Sequence, residues 1–308
     1  MMTEADEERA EGESYRSGYV ALVGRPNAGK STLLNRLVGE KIAAVSDKPQ
    51  TTRHRIQGVI TRPEGQIVLV DTPGVHKPGY LLNRRMMAAV HDALAGVDLV
   101  CLIRDAASPT GNGDRFVLDL IRQAEKPSIL LLNKTDKLAD KSRLLPLMEW
   151  YGQEHDWRAV VPLSALKGDM VEVFLSEIIK NLPEGEPLFG EDELTDQPLR
   201  LMVSELVREK ILQSTGDEIP YVTAVITEKF DEARADLVVI HCAIFVERPS
   251  QKKIVVGRGG ERLKEVGTRA RRDIEKLLDR RCHLELFVKV EAEWRNRENL
   301  LDSLGVQK

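Results

Sequence analysis

At residues 24–31 the chain reads Gly24-Arg25-Pro26-Asn27-Ala28-Gly29-Lys30-Ser31, which matches the phosphate-binding pattern G-x-x-x-x-G-K-[ST] at every position. An apolar run at 19–23 precedes this loop, and a helical pattern that begins with Thr32 follows it. A strand, a glycine-containing loop and a helix in this order predict a concavity of backbone N–H groups at a helix N-terminus, where phosphate binds. We expect Lys30 to contact the β- and γ-phosphates and Ser31 to hold Mg²⁺, with Thr32 completing the nucleotide contacts.

Guanine is the base predicted by the run Asn133-Lys134-Thr135-Asp136, which directly follows the apolar run 128–132. A carboxylate can accept two hydrogen bonds at once, and guanine offers two adjacent donors, N1–H and the exocyclic amine, that adenine lacks. We therefore expect Asp136 to bind the guanine edge, the stem of Lys134 to lie along the flat base, and Asn133 to brace the loop. These residues are also ordinary turn residues, so the prediction depends on their place after a buried strand, downstream of the phosphate loop.

Two further turns complete the predicted nucleotide site, and both follow apolar runs. In Asp71-Thr72-Pro73-Gly74, Asp71 is placed to hold Mg²⁺ through water, and the N–H of Gly74 can contact the γ-phosphate. In Ser164-Ala165-Leu166, the N–H of Ala165 would face the guanine O6, although three such residues are a weak signal by themselves.

The polar segment 50–55 lies where a loop that senses the γ-phosphate is expected. It contains two threonines, and a threonine hydroxyl in such a loop can bind Mg²⁺ in the triphosphate state. Thr52 is preferred over Thr51 as this ligand. The predicted metal ligands are then Ser31, Thr52 and Asp71, and the predicted catalytic residues are Lys30, Thr52 and Gly74.

Strand-like runs alternate with helical patterns over residues 18–182, which predicts an α/β domain with a mostly parallel sheet and helices on both faces. Ligands of such sheets bind at the carboxyl ends of the strands, where all the motifs above fall. Residues 183–198 contain three prolines, two glycines and many acids, which predicts a linker. Residues 199–308 predict a second domain with the order helix, strand (220–229), strand, short helix, long helix, strand and a C-terminal helix.

Five segments in this order and at these spacings resemble the small GTPases related to translation factors, and the runs 24–35 and 50–56 are most similar to the Era family. The resemblance implies a P-loop GTPase domain that binds GTP and GDP with Mg²⁺ and hydrolyses GTP slowly, followed by an α+β RNA-binding KH domain of type II. It also implies that the RNA is the 3′ end of 16S ribosomal RNA and that the protein assists assembly of the 30S subunit. A cytoplasmic monomer with loose peripheral association to the inner membrane completes these expectations.

The loop that a KH domain needs is present as Gly257-Arg258-Gly259-Gly260. A G-x-x-G loop clamps the backbone of about four nucleotides, because its glycines let the protein backbone approach the phosphates. Residues 251–281 hold eleven Lys/Arg and five Asp/Glu, a net charge of +6 in a chain whose net charge is −4, and such local positive charge is typical of a nucleic-acid site. The predicted RNA-binding residues are Lys253, Ile254, Gly257, Arg258, Gly259, Gly260, Lys264, Arg269 and Arg272.

Length and composition limit the classes of protein to which this chain can belong. A chain of 308 residues with 42% hydrophobic residues can form two domains with real cores, and no apolar stretch approaches the length of a transmembrane helix. Residues 1–17 hold six acids and two arginines, which predicts a disordered tail and not a signal peptide. Cys101, Cys242 and Cys282 lie in apolar runs, which favours buried thiols in a reducing compartment over disulfides or metal ligands.

Two residues leave the hydrolysis mechanism open. Val75 follows the turn 71–74, where Ras-like proteins place a water-orienting glutamine, and its side chain forms no hydrogen bonds. Era proteins share this departure, so a backbone group, a further water or a partner must orient the attacking water. Asn27 is a candidate K⁺ ligand, because related GTPases with asparagine at this position can bind K⁺ near the phosphates, or it only stabilises the loop.

Alternatives to a GTPase that assists ribosome assembly remain. A related GTPase could act on another RNA, as tRNA-modification GTPases do, although those place the GTPase inside a helical domain and end in a cysteine motif that this sequence lacks. The chain could be a nucleotide-gated RNA-binding module without a ribosomal role, or one whose nucleotide site is vestigial. The intact Lys30, Ser31, Asp71 and Asp136 argue against a vestigial site, and the guanine motif argues against a P-loop kinase.

Overall fold

The first domain contains a six-stranded sheet. A computed structural model describes residues 14–48, 50–74, 79–216 and 218–306. Its sheet has the spatial order β2-β3-β1-β4-β5-β6, and only β2 runs antiparallel to its neighbour. The strands are β1 Arg16–Gly24, β2 Ile56–Arg62, β3 Gly65–Asp71, β4 Leu99–Asp105, β5 Ser128–Asn133 and β6 Ala159–Pro162.

Five helices cover both faces of this sheet, which confirms the predicted α/β architecture. The helices are α1 Lys30–Val38, α2 Leu81–Ala95, α3 Asn112–Ala124, α4 Leu144–Glu154 and α5 Val171–Asn181. Helices α1 and α5 pack on one face, whereas α2, α3 and α4 pack on the other. Strands buried on both faces have an apolar centre, as in β5, where residues 129–132 are isoleucine and leucine and all six residues of the strand are buried. The motif loops at the carboxyl ends of the strands therefore start from a rigid sheet.

The second domain is an α+β unit with the three-stranded sheet β7-β8-β9. Strand β8 is antiparallel to β7 and parallel to β9, and α6, α8 and α9 pack on one face, as expected for a type II KH domain. Its elements are α6 Leu199–Ser214, α7 Ile219–Val222, β7 Ala224–Arg234, β8 Leu237–Val246, α8 Pro249–Val256, α9 Glu261–Leu278, β9 Arg281–Val290 and α10 Glu298–Ser303.

The prediction of a strand over 220–229 was wrong at its start. Residues 219–222 form the short helix α7, and β7 begins only at Ala224 and continues to Arg234. Pro220 lies in the first turn of α7, where its fixed φ fits a helix and its missing N–H costs no hydrogen bond. The apolar character of this run reflects a buried turn and not an earlier strand.

The predicted linker 183–198 is held against the first sheet. The side-chain carbonyl of Gln66 accepts hydrogen bonds from the N–H groups of Leu188 and Phe189, at 2.7 and 2.9 Å. The N–H of Val59 in β2 donates to the carbonyl of Leu194 at 2.9 Å. This segment therefore runs along β3 and β2 before α6 begins. The boundaries 18–182, 183–198 and 199–308 stay a prediction.

An apolar cluster separate from the helix-covered faces of the two sheets contains residues of both domains. Leu82 and Met86 of α2 pack with Ala224, Ala243 and Phe245. These three residues lie on the face of the second sheet that α6, α8 and α9 leave uncovered. Trp294, Leu301 and Val306 complete this cluster from the C-terminal region. Within the described part of the chain, no helix has the length and apolar character needed to cross a membrane. The three cysteines are free and buried, as predicted.

Candidate nucleotide site and its contacts with the second domain

The predicted phosphate loop connects β1, which ends at Gly24, to α1, which begins at Lys30. Gly29 has φ of 101°, and a Cβ atom there would lie 2.2 Å from Nδ2 of Asn133, so only glycine fits this backbone and this contact. The loop borders a cleft of about 690 Å³, a volume typical of small-molecule sites. The predicted base-binding residues Asn133, Lys134 and Asp136 line the same cleft.

The three predicted metal ligands meet at the floor of this cleft. The hydroxyl of Ser31 donates to Oδ2 of Asp71 at 2.7 Å, and the hydroxyl of Thr52 donates to the same oxygen at 3.2 Å. The two hydroxyl oxygens lie 2.8 Å apart. The hydroxyl of Thr51 instead donates to the carbonyl of Lys48 at 2.7 Å. Of the two candidate threonines, the structure thus brings Thr52 to the cluster.

This cluster fits a magnesium ion chemically. The second carboxylate oxygen of Asp71, Oδ1, is buried and has no hydrogen-bond partner. Burial of an unpaired carboxylate oxygen is unfavourable, and a hard cation that binds oxygen would compensate it. Ser31, Thr52 and Asp71 would together hold the ion.

Lys30 and Asp71 are buried, and burial disfavours the charged form of both side chains. The amine of Lys30 lies 3.4 Å from the carbonyl of Gly24, and burial lowers its pKa, opposed by the charge of Asp71. Burial likewise raises the pKa of Asp71, opposed by Lys30 and by the hydroxyls of Ser31 and Thr52. Phosphate would favour the charged form of Lys30 and a cation that of Asp71, because each supplies the missing counter-charge.

The turn 71–74 packs closely on the phosphate loop. A Cβ atom at Gly74 would lie 3.2 Å from Cα of Pro26, so the backbone here approaches the loop without a side chain. The hydroxyl of Thr72 donates to the carbonyl of Leu22 at 2.8 Å and ties the turn to β1. Val75, on which the question of the attacking water depends, lies outside the described residues.

On the base side, Asn133 braces the loops as predicted. Its Nδ2 donates to the carbonyl of Ala28 at 2.8 Å, and its Oδ1 accepts from the N–H groups of Lys134 and Ala165 at 2.7 and 3.0 Å. The N–H of Ala165, which was expected to face the guanine O6, is thus bonded to Asn133 here. The hydroxyl of Ser164 donates to Asp136 at 2.6 Å and orients the carboxylate predicted to bind guanine.

Two residues that no motif identified also shape the base side. The amine of Lys134 lies 2.7 Å from Oδ2 of Asp105, which ends β4. Arg36, near the end of α1, donates to the carbonyls of Ala165 and Leu166 at 2.7 and 2.6 Å. Asp105 could have been found from its position at the carboxyl end of a strand. Arg36 carries no such signal, since its partners are backbone atoms about 130 residues away.

The predicted RNA-binding loop lies between α8 and α9. Three of its residues, Gly257, Gly259 and Gly260, have positive φ values of 76°, 58° and 85°, which exclude most side chains. The side chains of Lys253, Arg258, Lys264 and Arg272 make no hydrogen bond or ion pair within the described ranges. Arg269 differs from these, because it donates to Oε1 of Gln213 at 2.6 Å. Ile254 is half-buried, and its carbonyl accepts a hydrogen bond from Arg262.

The second domain holds the segment that carries Thr52. Arg208 of α6 donates to the carbonyl of Gln50 at 3.0 Å and to that of Thr51. On the other side of Thr52, Arg53 donates to the carbonyls of Thr223 and Pro220 at 2.8 and 2.6 Å. The Arg53 guanidinium also lies 5.4 Å from the ring centroid of Trp294. Thr52 therefore lies between two residues, Thr51 and Arg53, whose positions are fixed by the second domain.

Buried charges accompany these contacts. Arg208 pairs with Glu205 at 2.5 Å, and although burial would raise the pKa of Glu205, the guanidinium of Arg208 holds it below its usual value. Burial lowers the pKa of His54; the charge of Glu205 opposes this shift, whereas the charges of Arg208 and Arg53 add to it. Upstream, the N–H of Val45 donates to Glu209 at 2.9 Å, and Gln213 donates to the carbonyl of Val45 at 3.2 Å.

Comparison with known proteins agrees with both halves of this geometry. The family model for 50S ribosome-binding GTPases matches residues 19–134, and the KH domain model matches residues 218–295. A solved structure of Era in complex with MgGDPNP and nucleotides 1506–1542 of 16S ribosomal RNA is 40% identical, with 96% of this chain and 100% of that chain covered and a TM-score of 0.92. This chain belongs to the Era family.

A second Era structure supports the assignment. A single-residue variant of Aquifex aeolicus Era bound to GDP·AlF₄⁻ is 39% identical, with 95% of this chain and 100% of that chain covered and a TM-score of 0.91. The chain is therefore an Era-family GTPase with a KH domain. Family membership favours an Era-type GTPase over the other GTPase, the RNA-binding module and the P-loop kinase that the sequence left open.

Proposed function

We propose that this Era-family GTPase is a GTP-dependent switch that binds the 3′ end of 16S ribosomal RNA through its KH domain and assists assembly of the 30S subunit. The observation that carries the proposal is the match over nearly the whole of both chains to Era in complex with MgGDPNP and nucleotides 1506–1542 of 16S ribosomal RNA. Free cations on Lys253, Arg258, Lys264 and Arg272, beside the glycine loop, supply the positive surface that an RNA backbone requires. We also propose that the chain is a cytoplasmic monomer. A peripheral contact with the inner membrane is a separate proposal.

In the nucleotide site, Lys30 and the N–H groups of the phosphate loop bind the phosphates, and Asp136 binds the guanine edge. We propose that five further residues also contact the nucleotide, namely Gly24, Arg25, Pro26, Thr32 and Pro73. Magnesium, when bound, neutralises charge on the phosphate oxygens. Ser31, Thr52 and Asp71 hold it, and the orphaned Oδ1 of Asp71 supports this assignment. Hydrolysis is slow, because the side chain of Val75 offers no hydrogen-bonding group to the attacking water.

Asn27 is the proposed potassium ligand. Its Nδ2 donates to the carbonyl of Asp47, and the Oδ1 of the same amide is the oxygen that K⁺ would contact. A bound K⁺ would add positive charge beside the phosphates, as an arginine finger does. GTP hydrolysis that is faster in K⁺ than in Na⁺ would support this role. Equal rates would leave Asn27 as a residue that only stabilises the loop.

We also propose that the nucleotide state sets the affinity for RNA. Thr52 is the residue that a magnesium-bound triphosphate would hold, and Arg208 and Arg53 connect its neighbours to the KH domain. A change at Thr52 therefore reaches α6 and α7 through side chains that are themselves buried. Such a contact between a γ-phosphate-sensing segment and a second domain is a physical basis for coupling.

The test is binding of an RNA that copies nucleotides 1506–1542 of 16S ribosomal RNA, at fixed salt, with GDP and with a non-hydrolysable GTP analogue. We expect specific binding that is stronger with the GTP analogue. Gly259→Asp should weaken RNA binding about 30-fold or more, because it adds negative charge to a strained backbone position, and should leave nucleotide binding unchanged. A scrambled RNA of equal length is the control.

Each outcome is informative. Equal affinity for the scrambled RNA would contradict the ribosomal target and leave a GTPase with another RNA partner. Specific binding that does not respond to the nucleotide would contradict only the proposed coupling. Loss of nucleotide binding in Gly259→Asp would show that the variant is misfolded, and Arg258→Glu would then take its place.

A further inference from the structure

The last turn of α1 contacts both loops that border the base and the phosphates. Arg36 donates its Nε to the carbonyl of Ala165 at 2.7 Å and its Nη2 to the carbonyl of Leu166 at 2.6 Å. The adjacent Asn35 accepts from the N–H groups of Ile42 and Ala43 at 3.0 and 2.8 Å. Two neighbouring side chains of one helix thus fix loops that lie far apart in the sequence.

The loop that Arg36 holds also orients the base-binding carboxylate. The hydroxyl of Ser164 donates to Asp136 at 2.6 Å, and it accepts from the N–H of Lys167 at 3.1 Å. On its inner side, the loop is bonded through the N–H of Ala165 to Asn133. Arg36 binds the opposite edge of that peptide, at the carbonyl of Ala165. The position of Ser164, and with it the orientation of Asp136, therefore depends on both contacts.

The same loop contains a glycine that makes room for the guanidinium. Gly168 has φ of 89°, and a Cβ atom there would lie 3.1 Å from Nη1 of Arg36. The planar guanidinium can serve two carbonyls at once, which a lysine amine cannot do in the same geometry. These contacts distinguish Arg36 from Arg62, an arginine of the same domain that is partly buried. Arg62 only pairs with the exposed Glu172 at 3.2 Å.

Helix α1 links this loop rigidly to the phosphate site. Lys30 and Ser31 form its first turn, and Arg36 lies within its last turn, in a helix of nine residues. A helix keeps such a distance fixed, because each residue rises by about 1.5 Å along its axis. The phosphate-binding end and the base-binding loop are in this way held at one separation.

We propose that Arg36 is a positioning residue that sets the selectivity for guanine. It holds the carbonyls of Ala165 and Leu166, which keeps Ser164 within hydrogen-bond distance of Asp136, and Asp136 then binds both donors of the guanine edge. Arg36 does not touch the nucleotide. The inference rests on the proposed guanine site, and it adds a residue outside the motifs to that site.

The experiment compares the affinities for GDP and IDP, since IDP lacks the exocyclic amine that Asp136 would bind. Wild type, Arg36→Ala and Arg36→Lys are measured, with Arg62→Ala as the matched control. We expect Arg36→Ala to lose about tenfold in affinity for GDP but less than about threefold for IDP, so the ratio of the two affinities falls. Arg36→Lys should be intermediate, because its amine can serve one carbonyl. Arg62→Ala should keep the wild-type ratio.

The possible failures can be told apart. If the wild type shows no preference for GDP over IDP and ADP, the guanine site itself is refuted. If the wild type is selective and Arg36→Ala keeps its ratio, only the role of Arg36 is refuted. Equal losses for GDP and IDP would mean that Arg36 supports the cleft generally, which also refutes its role in selectivity. Thermal unfolding of Arg36→Ala near the wild-type midpoint would show that the comparison concerns folded protein.

Discussion

The nucleotide cleft buries its charged side chains, whereas the region around the KH glycine loop exposes them. In the cleft, Lys30 and Asp71 are buried, and the oxygens of Asp71, Ser31 and Thr52 already form a network. Around the glycine loop, Arg258, Lys264 and Arg272 extend without partners in the described part of the chain. The cleft contains groups from five loops, whereas the basic surface is carried by one glycine loop and the two helices that flank it.

The difference teaches what each region can recognise. A buried polar site rejects a wrong ligand strongly, because a mismatch leaves desolvated groups unpaired. An exposed basic surface attracts any phosphate backbone, and its affinity falls with salt. We therefore expect single substitutions to have large and specific effects in the cleft and small, graded effects on the basic surface.

The largest effect should come from Asp136→Asn. It removes the acceptor pair for the guanine N1–H and amine, so the affinity for GDP should fall about 10³-fold or more. The amide can donate to the C2 carbonyl of xanthine, so binding of xanthosine diphosphate should improve. Equilibrium binding of both nucleotides measures this exchange. An unchanged affinity for GDP would show that a group other than Asp136 recognises the guanine base.

Arg208→Ala tests the buried pair that holds the segment of Thr52. Removing the guanidinium leaves Glu205 poorly compensated and frees the carbonyls of Gln50 and Thr51, so the free energy of unfolding should fall by about 3 kcal/mol. Arg234→Ala breaks an exposed pair with Asp236, at 3.2 Å, and should leave the free energy of unfolding close to the wild-type value. Denaturant unfolding of both variants would contradict this expectation if their losses were similar.

On the basic helix α9, a free arginine should matter more for RNA than a partnered one. Arg272→Ala should weaken binding of the ribosomal RNA about fivefold and reduce the slope of log affinity against log salt by about 0.7. Arg269→Ala should have about a twofold effect, because this side chain is already bonded to Gln213. Titrations at several salt concentrations measure both slopes. Equal slopes for the two variants would mean that RNA displaces Gln213 from Arg269.

The smallest effect is a pH dependence that arises at the domain contact. Burial lowers the pKa of His54, so the folded protein binds this proton less readily than the unfolded chain, whose histidine titrates near 6.5. Above pH 6.5 this difference in proton binding does not reduce the free energy of unfolding. Below that pH the unfolded chain takes up a proton that the folded protein does not, so stability is lost as the pH falls. The decrease in thermal midpoint between pH 7.5 and 5.5 should be about 2 °C smaller in His54→Asn than in the wild type. A decrease in His54→Asn equal to that of the wild type would contradict this role of His54.

Several parts of the fold and the site were predictable because their signals are local. The phosphate loop, the buried strand before Asn133 and the basic helix after Gly257 each depend on adjacent residues, and the structure has them as predicted. Local patterns were ambiguous where two arrangements share them. The apolar run near 220 suggested a strand but contains α7. The sequence favoured Thr52 over Thr51 without excluding Thr51, and the structure shows that Thr52 is the one that reaches Asp71.

The sequence by itself determined the chemistry: a phosphate loop, a guanine motif, a glycine loop with a basic helix, and the order of the two domains. These features follow from residue types at short spacings, which fix backbone conformation and local charge. Only the tertiary structure decided which distant groups meet. The contacts of Arg36 with Ala165, of Arg208 with Gln50, and of Arg53 with Pro220 join a side chain to backbone atoms in another segment. A carbonyl is present in every residue, so no pattern of side chains can show which one a distant arginine will find.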